Sequence, residues 1–502
     1  MPPPAGLGAQ RTESATSLMT HPIETAGPGE RRHHPYVVLA VCCLSLFLVM
    51  LDVTVVNVAL PSIRRDLHTS MAGLQWSIDG YTVVVASFLM LAGSTADRFG
   101  RRRTFQTGLA VFSLGSLCCS LAQTTLQLVL CRVLQAVGGA MLNPVAVSII
   151  ANTFLEAKAR ARAIGIWGAV VGVSMAVGPL LGGVLTETIG WRSIFWVNVP
   201  IGVLAIGLTA RFVPESRAPV ARRVDAAGQA LVVVALASLT SALIEGPHAG
   251  WRSPFIVSAF STSAVALVAL LWQERRFPEP LIDLRFFRSI PFAAATLVAV
   301  LAFTAFNGSL FLHSLYLQES RGLKAAAAGL CLLPTAIAMV ICSPLSGRLV
   351  GAGHARTAMV IAGTAIAASA LFFTGLRPDT DLSALLAAYA VFGVGIGTVN
   401  APITNAAVSG MPRARAGVAA AIASTSRQVG ATLGVALAGS IAGGGGVLGP
   451  EFAYATHPVW WLVVGCGLSI VALGFASTSE RARSSALGVA HLLDAGSGGR
   501  AR

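Results

Sequence analysis

The sequence predicts an all-α polytopic membrane protein, and three observations carry that expectation. Hydrophobic residues make up 55% of the 502 residues and charged residues only 11%, with a mean hydropathy of +0.73. No water-soluble core could hide that much apolar side chain. The apolar residues are grouped into runs of about 18 residues or more, the length a helix needs to cross the hydrocarbon of a bilayer. Between the runs lie short loops, and arginine is concentrated in every second one.

Taken in order, the runs are 36–61, 73–95, 105–122, 126–150, 163–186, 194–213, 225–245, 253–273, 292–318, 326–348, 357–376, 382–408, 417–442 and 458–477. They number fourteen, and an even number returns both termini to one side. The loops on that side hold Arg31, Arg32, the cluster at 98–103, Lys158, Arg160, Arg162, Arg217, Arg222, Arg275, Arg288, Arg348, Arg356, Arg413 and Arg481. The opposite loops hold only Arg64, Arg65, Arg192, Arg252, Arg321, Lys324 and Arg377. By the positive-inside rule both termini are cytoplasmic. The net charge of +14 thus reads as a topology signal facing anionic lipid, and no nucleic-acid partner is expected. Residues 1–35 and 478–502 read as disordered cytoplasmic ends, with no cleavable signal peptide ahead of the first span. All eight cysteines, Cys42, Cys43, Cys118, Cys119, Cys131, Cys331, Cys342 and Cys466, lie inside apolar runs. They act as small hydrophobes, with neither a disulfide framework nor metal-ligand spacing.

An internal repeat divides the chain. Arg160-Ala-Arg162-Ala recurs as Arg413-Ala-Arg415-Ala, Gly93 and its basic loop as Gly347-Arg348 with Arg356, and Asn143-Pro144 as Asn400-Ala-Pro402. The separations run from 253 to 258 residues. Two parallel six-helix halves, 36–213 and 292–477, fit that spacing, with two extra spans and their flanks at 214–291 between them. Parallel halves with a substrate site between them are a transporter arrangement.

Four stretches carry the chemistry. The loop Gly93-Ser-Thr-Ala-Asp97-Arg98-Phe-Gly100-Arg101-Arg102-Arg103 sets one acid among arginines between two spans. Gly93 would let helices approach closely, Gly100 would make the turn, and Asp97 would pair with Arg98, Arg101 or Arg102. The first span ends Leu51-Asp52-Val-Thr54-Val-Val-Asn57-Val-Ala-Leu60-Pro61. Asp52 lies roughly 24 Å along a helix from Tyr36, in the outer half of the membrane. The fourth span carries Arg132-Val-Leu-Gln135-Ala136-Val-Gly138-Gly139, and its arginine reaches a similar depth. A carboxylate and a guanidinium inside a bilayer are costly and mark function, although an ion pair that only fastens the bundle fits as well. The fifth span sets Gly178, Pro179, Gly182 and Gly183 close together, and Trp191 to Gly202 follows.

These stretches resemble the signatures of the major facilitator superfamily, and within it those of the 14-span drug:proton antiporters. Thr95 stands where that family has leucine and Ala136 where it has the first fourth-span glycine. The resemblance covers about residues 36–478, includes Arg427-Gln428-Val-Gly430, and implies a major facilitator fold with two extra central helices. It also implies proton coupling at Asp52, a loop that governs the rocking of the halves, and an antiporter motif at Gly178, Pro179, Gly182 and Gly183.

Other polar residues within spans carry open readings. Asp79 fits a second proton site or a helix cap. Arg427 fits a substrate contact, a lipid contact or a helix partner. His313 fits packing better than a relay. Asn57, Gln135, Asn143, Asn307 and Asn400 could line a substrate cavity or bond between helices. No phosphate-cradling loop, cofactor motif, nucleophile constellation or metal-ligand set is visible, so an enzyme is disfavoured, and a channel would not need the charge pair or the repeat.

The expected function is therefore proton-driven export of small amphipathic drugs or antibiotics across a bacterial cell membrane. A dedicated exporter of one endogenous metabolite is the alternative. The expected partners are the small-molecule substrate, protons and membrane lipid, and the family expectation is a monomer. The arginine asymmetry predicts that cysteines introduced at Ser17 and Ser484 react only with reagents that reach the cytoplasm. Labelling of either from outside intact cells would overturn the topology.

Overall fold

The computed structural model of the chain describes residues 34–217, 225–277, 282–411, 413–443 and 449–498. Helices account for nearly all of it. In chain order they are α1 Pro35–Leu67, α2 Met71–Phe99, α3 Arg101–Ser120, α4 Thr125–Thr153, α5 Ala157–Thr188, α6 Ser193–Trp196, α7 Asn198–Phe212, α8 Ala226–Ala249 and α9 Pro254–Arg276. There follow a 3-10 turn at Leu284–Arg288, α10 Ile290–Leu315, a π turn at Tyr316–Ser320, α11 Ala325–Cys331, α12 Leu333–Gly351, α13 Ala355–Phe373 and α14 Leu382–Val408. The last four are α15 Arg413–Gly443, α16 Phe452–Ala455, α17 His457–Ser477 and α18 Glu480–Gly498.

Local chemistry sets many of the starts. Ser70 accepts from the Gly73 amide at 3.2 Å and opens α2, Thr124 does the same for α4 through Gln127, and Asp225 for α8 through Gly228 at 2.8 Å. Each satisfies a backbone donor that the first helical turn leaves unpaired.

The helix neighbours repeat. The first set packs α1 on α5, α2 on α4 and α3 on α7; the second packs α10 on α15, α12 on α14 and α13 on α17. The hairpin α8–α9 rests on α2 and α15, one helix from each set. Its grip on α2 is polar at both ends: Gln229 Nε2 donates to the Ser87 carbonyl, and Trp76 Nε1 donates to Glu245 Oε1 at 2.9 Å.

Among the described residues, twelve helical segments are long and apolar enough to cross a membrane. Two of the fourteen expected runs, α3 and α15, fall short of that measure. α3 opens on Arg101-Arg102-Arg103, and α15 carries Arg413, Arg415 and the polar run at 424–428. Residues 1–33 of the N-terminal stretch read as disordered lie outside the described residues.

The other end is corrected. Residues 480–498 of the tail expected to be disordered form the helix α18. Its small and apolar residues Ala482, Ala486, Val489 and Leu493 recur at helical spacing and are all buried. They give a polar-looking segment one face to bury. Ser485 Oγ accepts from the Ile290 amide at 3.0 Å, which ties α18 to the start of α10. Beside it, burial would raise the Asp283 carboxyl, but the Arg285 hydrogen bond and the charges of Arg285 and Arg415 hold it below the usual range.

The seam between the two sets is shut at the arginine-poor end. A Cβ on Gly183 would stand 2.6 Å from the Ala325 carbonyl oxygen, and one on Gly329 would overlap the Pro179 carbonyl. Gln75 Nε2 donates to the Ala436 carbonyl at 2.9 Å, Ser314 Oγ to the Asn57 carbonyl at 2.5 Å and Gln318 Nε2 to the Val58 carbonyl at 2.9 Å. Lys324–Glu187 at 3.5 Å and Arg64–Glu319 at 4.0 Å bridge the rim. At the other end, Cβ atoms on Gly93, Gly165, Gly168, Gly347, Gly351 and Gly417 would meet nothing within 4 Å among the described residues. The close helix approach expected at Gly93 is therefore absent in this conformation.

A side chain at Gly183 should wedge the shut end open. Overpacking against backbone costs about 1–3 kcal/mol, so Gly183→Val should shift the population away from closure by about five-fold or more. The measurement is the labelling rate of a cysteine introduced at Gln318, which should rise relative to the same cysteine beside native Gly183.

Candidate functional site

The polar centre of the first helix set is built around Asp52. Its carboxylate is 1% exposed on α1 and accepts from three side chains on two other helices. Arg132 Nη1 on α4 lies 2.5 Å from Oδ2, and Gln135 Nε2, one turn further along α4, donates to Oδ1 at 2.8 Å. Asn198 Nδ2 on α7 donates to the same Oδ1 at 3.0 Å. Arg132 is itself 2% exposed. Its Nε donates to the Ser77 carbonyl at 3.1 Å, Nη1 also reaches Gln135 Oε1 at 2.8 Å, and the guanidinium lies 4.4 Å from the centre of the Tyr81 ring. Asn198 continues to Ser116 Oγ at 3.0 Å, and Ser116 donates to the Phe195 carbonyl at 2.9 Å. The network thus joins α1, α2, α3, α4 and α7. A buried ion pair is tolerated when its remaining donors and acceptors are satisfied, as they largely are here.

Helix rise places Asp52 and Arg132 at similar depths, and in the structure they are in contact. Gln135, expected in a substrate cavity, belongs to this network instead. Spacing explains the outcome: it lies three positions after Arg132, so both lie on one helix face. Asn198 and Tyr81 were missed as site residues. Asn198 lay within the quoted Trp191–Gly202 stretch, and its signal was an amide inside an apolar run.

Asp79 is fully buried on α2 and not at a helix end, so the cap reading is set aside. Oδ1 accepts from Thr82 Oγ1 at 3.0 Å, and Thr432 Oγ1 on α15 donates to Thr82 Oγ1 at 3.0 Å. Asp79 Oδ2 has no partner among the described residues. Asp79 therefore sits at the seam, away from the Asp52 network.

The basic loop is held by a residue the sequence did not flag. Glu215, just beyond α7, accepts from the Arg102 amide at 3.1 Å and the Arg103 amide at 3.3 Å, capping the start of α3. The Arg101 amide donates to the Ser216 carbonyl at 2.9 Å and Arg102 Nη2 to the Ala210 carbonyl at 2.6 Å. Of the arginines expected to pair with Asp97, Arg101 does so at 3.0 Å; Arg98 lies 5.6 Å from the Phe99 ring centre. Gly100, at φ +108, makes the turn, and a Cβ there would strike Glu215 Oε1 at 2.5 Å.

Gly178 and Gly182 press α5 onto α1 at Thr54 and Val55, and Gly183 presses it onto α11. Between the sets, a narrow cavity with about 30 Å³ of water-accessible space is lined mainly by residues of α1, α5, α10, α12 and α14, including Thr54, Pro179, Ser309, His313, Met339 and Tyr389. Of the other expected cavity residues, none lines it. Asn57 Nδ2 bonds the Val53 carbonyl, Asn307 Nδ2 the Phe303 carbonyl, Asn143 Oδ1 and Arg427 Nη1 are buried without partners among the described residues, and Asn400 lies elsewhere on α14.

Residues 42–435 match the family described as Major Facilitator Superfamily. The chain belongs to this superfamily. It is a multi-pass membrane transporter, not an enzyme. It is 39% identical over 398 residues to the multidrug resistance protein Stp of Mycobacterium tuberculosis strain CDC 1551, covering 79% of this chain and 74% of that one. It is 36% identical to the methylenomycin A resistance protein of Bacillus subtilis strain 168, covering 80% and 87%. The crystal structure of a D-xylose-proton symporter overlays with a TM-score of 0.64 at 14% identity, covering 88% of this chain and 97% of that one; at that identity it shows the fold alone. Among the described residues of this transporter, no cluster of His, Cys, Asp or Glu could hold a metal.

Removing one member of a buried pair leaves the other as an uncompensated charge. Asp52→Asn should lower stability by about 3–5 kcal/mol, and adding Arg132→Met should restore most of it. Thermal unfolding of the purified variants in detergent reads both effects.

Proposed function

We propose that this transporter is a proton-driven antiporter that exports small amphipathic compounds, drugs or antibiotics, from the cytoplasm. The reading takes α3 and α15 as membrane spans, which gives fourteen, with both termini on the cytoplasmic, arginine-rich side. It takes 36–213 and 292–477 as the two moving halves and 214–291 as the linker between them. The hairpin α8–α9, resting on one helix of each set, supports that division, and two relatives named for drug or antibiotic resistance support efflux.

One observation carries the proton step: a buried carboxylate on α1 whose two oxygens are held by Arg132, Gln135 and Asn198. A proton on Asp52 removes the negative charge that those donors address. The ion pair with Arg132 is lost, and α1 is released from α4 and α7. α1 packs on α5 at Gly178 and Gly182, and α5 meets the second half at Gly183. Protonation at Asp52 therefore bears on the contact that shuts the arginine-poor end. Proton release toward the cytoplasm restores the pair, and alternation about the seam exchanges proton for substrate. The basic loop, held by Glu215 within the first half, acts as a stiff corner at the end of α2.

Asp52→Asn keeps the shape and removes the ionisable group. Reconstituted vesicles holding this variant should bind substrate yet fail to accumulate it against its gradient when a pH difference is imposed, with a rate loss of about 100-fold or more. Full uphill transport by Asp52→Asn would sink the assignment and move the proton step to Asp79.

A further inference from the structure

The seam cavity has a polar inventory that specifies its ligand; the inference rests on the transport reading and deepens it. Apart from five residues, the lining is apolar, and none of its residues is Asp, Glu, Lys or Arg. Three of those five have their polar atoms engaged within the protein. Thr54 Oγ1 donates to the Leu51 carbonyl at 2.9 Å, Thr335 Oγ1 to the Tyr389 carbonyl at 3.0 Å, and the Tyr389 hydroxyl meets His313 Nδ1 at 3.0 Å. That leaves Ser309 Oγ and His313 Nε2. Both residues line the cavity, they are 1% and 2% exposed, and neither atom has a hydrogen-bond partner among the described residues. They lie four residues apart on α10, one turn along the same face.

The His313 ring is fixed in place. It stacks on Trp460 at 4.6 Å between centres and 22° between planes, and it meets the edge of Phe373 at 4.4 Å. Its tautomer follows from Tyr389. Among the described residues the phenol has no acceptor other than Nδ1, so the arrangement that uses its O–H gives the proton of the imidazole to Nε2. Nε2–H is then a buried donor without an acceptor among the described residues, on a side chain that lines a largely apolar cavity, and such an atom costs free energy until it is paired.

We propose that the cavity binds an uncharged, largely apolar compound through a carbonyl-type oxygen that accepts from His313 Nε2, with Ser309 Oγ as the second contact one turn away. A cation or anion placed there would face no counter-charge, so ionic compounds are excluded. His313 is the residue that selects a carbonyl-bearing ligand over a hydrocarbon of the same shape, and Tyr389 is a positioning residue acting through Nδ1.

The test compares 9-fluorenone with fluorene, two frameworks that differ by one carbonyl. Equilibrium binding is measured to the purified transporter in lipid nanodiscs, with protein-free discs as the blank. The native protein should bind 9-fluorenone about ten-fold more tightly than fluorene, the value of one well-placed hydrogen bond in a dry site, and ethidium should not compete. His313→Phe should erase the preference while still binding both, His313→Gln should restore part of it, and Ser309→Ala should weaken 9-fluorenone alone. Equal binding of the two compounds, no binding of 9-fluorenone, displacement by ethidium, or a preference that survives in His313→Phe overturns the proposal. Binding requires no proton gradient, so these outcomes are separate from vesicle export: a transporter that pumps but shows no carbonyl preference refutes this inference and leaves the antiport reading standing.

Discussion

The arrangement of the first helix set depends on one constraint: an aspartate on α1 and an arginine on α4 must be kept together where water is absent. Each charge alone would cost several kcal/mol in that setting, and their attraction offsets the cost only if geometry and secondary partners are good. The surroundings supply both. Gln135 and Asn198 fill the second carboxylate oxygen, the Ser77 carbonyl takes Arg132 Nε, and the Tyr81 face lies against the guanidinium. Five helices therefore have their relative positions set by one carboxylate. An apolar replacement could pack as well and be no less stable. What it could not do is change charge when a proton arrives.

The seam is held by interactions of another kind. Its shut end is a set of backbone approaches made possible by Gly183 and Gly329, a few side-chain to carbonyl hydrogen bonds, and two ion pairs at the rim. Half-exposed ion pairs contribute about 0–1 kcal/mol each, and a neutral hydrogen bond contributes about as much. No single contact is strong, so the closure can be undone in one step by a modest change elsewhere. A seam closed by a buried ion pair could not be opened so readily. The strong electrostatics lie inside the first set of helices and the weak contacts lie between the sets, as the proposed rocking of two stiff halves requires.

Most of the fold was legible because it rests on patterns local in sequence. Run length gave the helices, and spacing by about 255 residues was matched by the repeated helix neighbours. The pairing of Asp52 with Arg132 was legible from helix rise alone, because both charges sit in helices of known direction. The unread parts are those where the partner is remote or the pattern mixed. Asn198 and Glu215 act on residues 146 and 113 positions away, and no local rule connects them. Gln135 was read as a candidate for the substrate cavity because an amide in a span fits that role or a bond between helices until its neighbour is known. The helix at 480–498 was masked by a polar composition whose burial stripe consists mainly of alanine and valine. Gly93 carries the spacing of a packing glycine, but whether it packs depends on the conformation, which no sequence pattern records.

Asp52 and Thr54 explain how the ion pair and the cavity can speak to each other. They lie two residues apart on α1, so helix geometry points them about 160° apart. One faces α4 and the arginine, and the other lies against Gly178 of α5 and lines the cavity. A rotation or shift of α1 that follows loss of the charge at Asp52 must therefore move the cavity wall at Thr54. The reverse also holds, because a coupling free energy between two sites is reciprocal. A compound pressed against Thr54 biases α1, and through it the geometry around Asp52. Gly178 and Gly182 make this transmission direct: α5 brings no side chain of its own there, so its backbone lies against Thr54 and Val55 of α1. Gly178 and Gly182 thus do more than permit close packing, since they join the helix that holds Asp52 to the helix that closes the seam at Gly183.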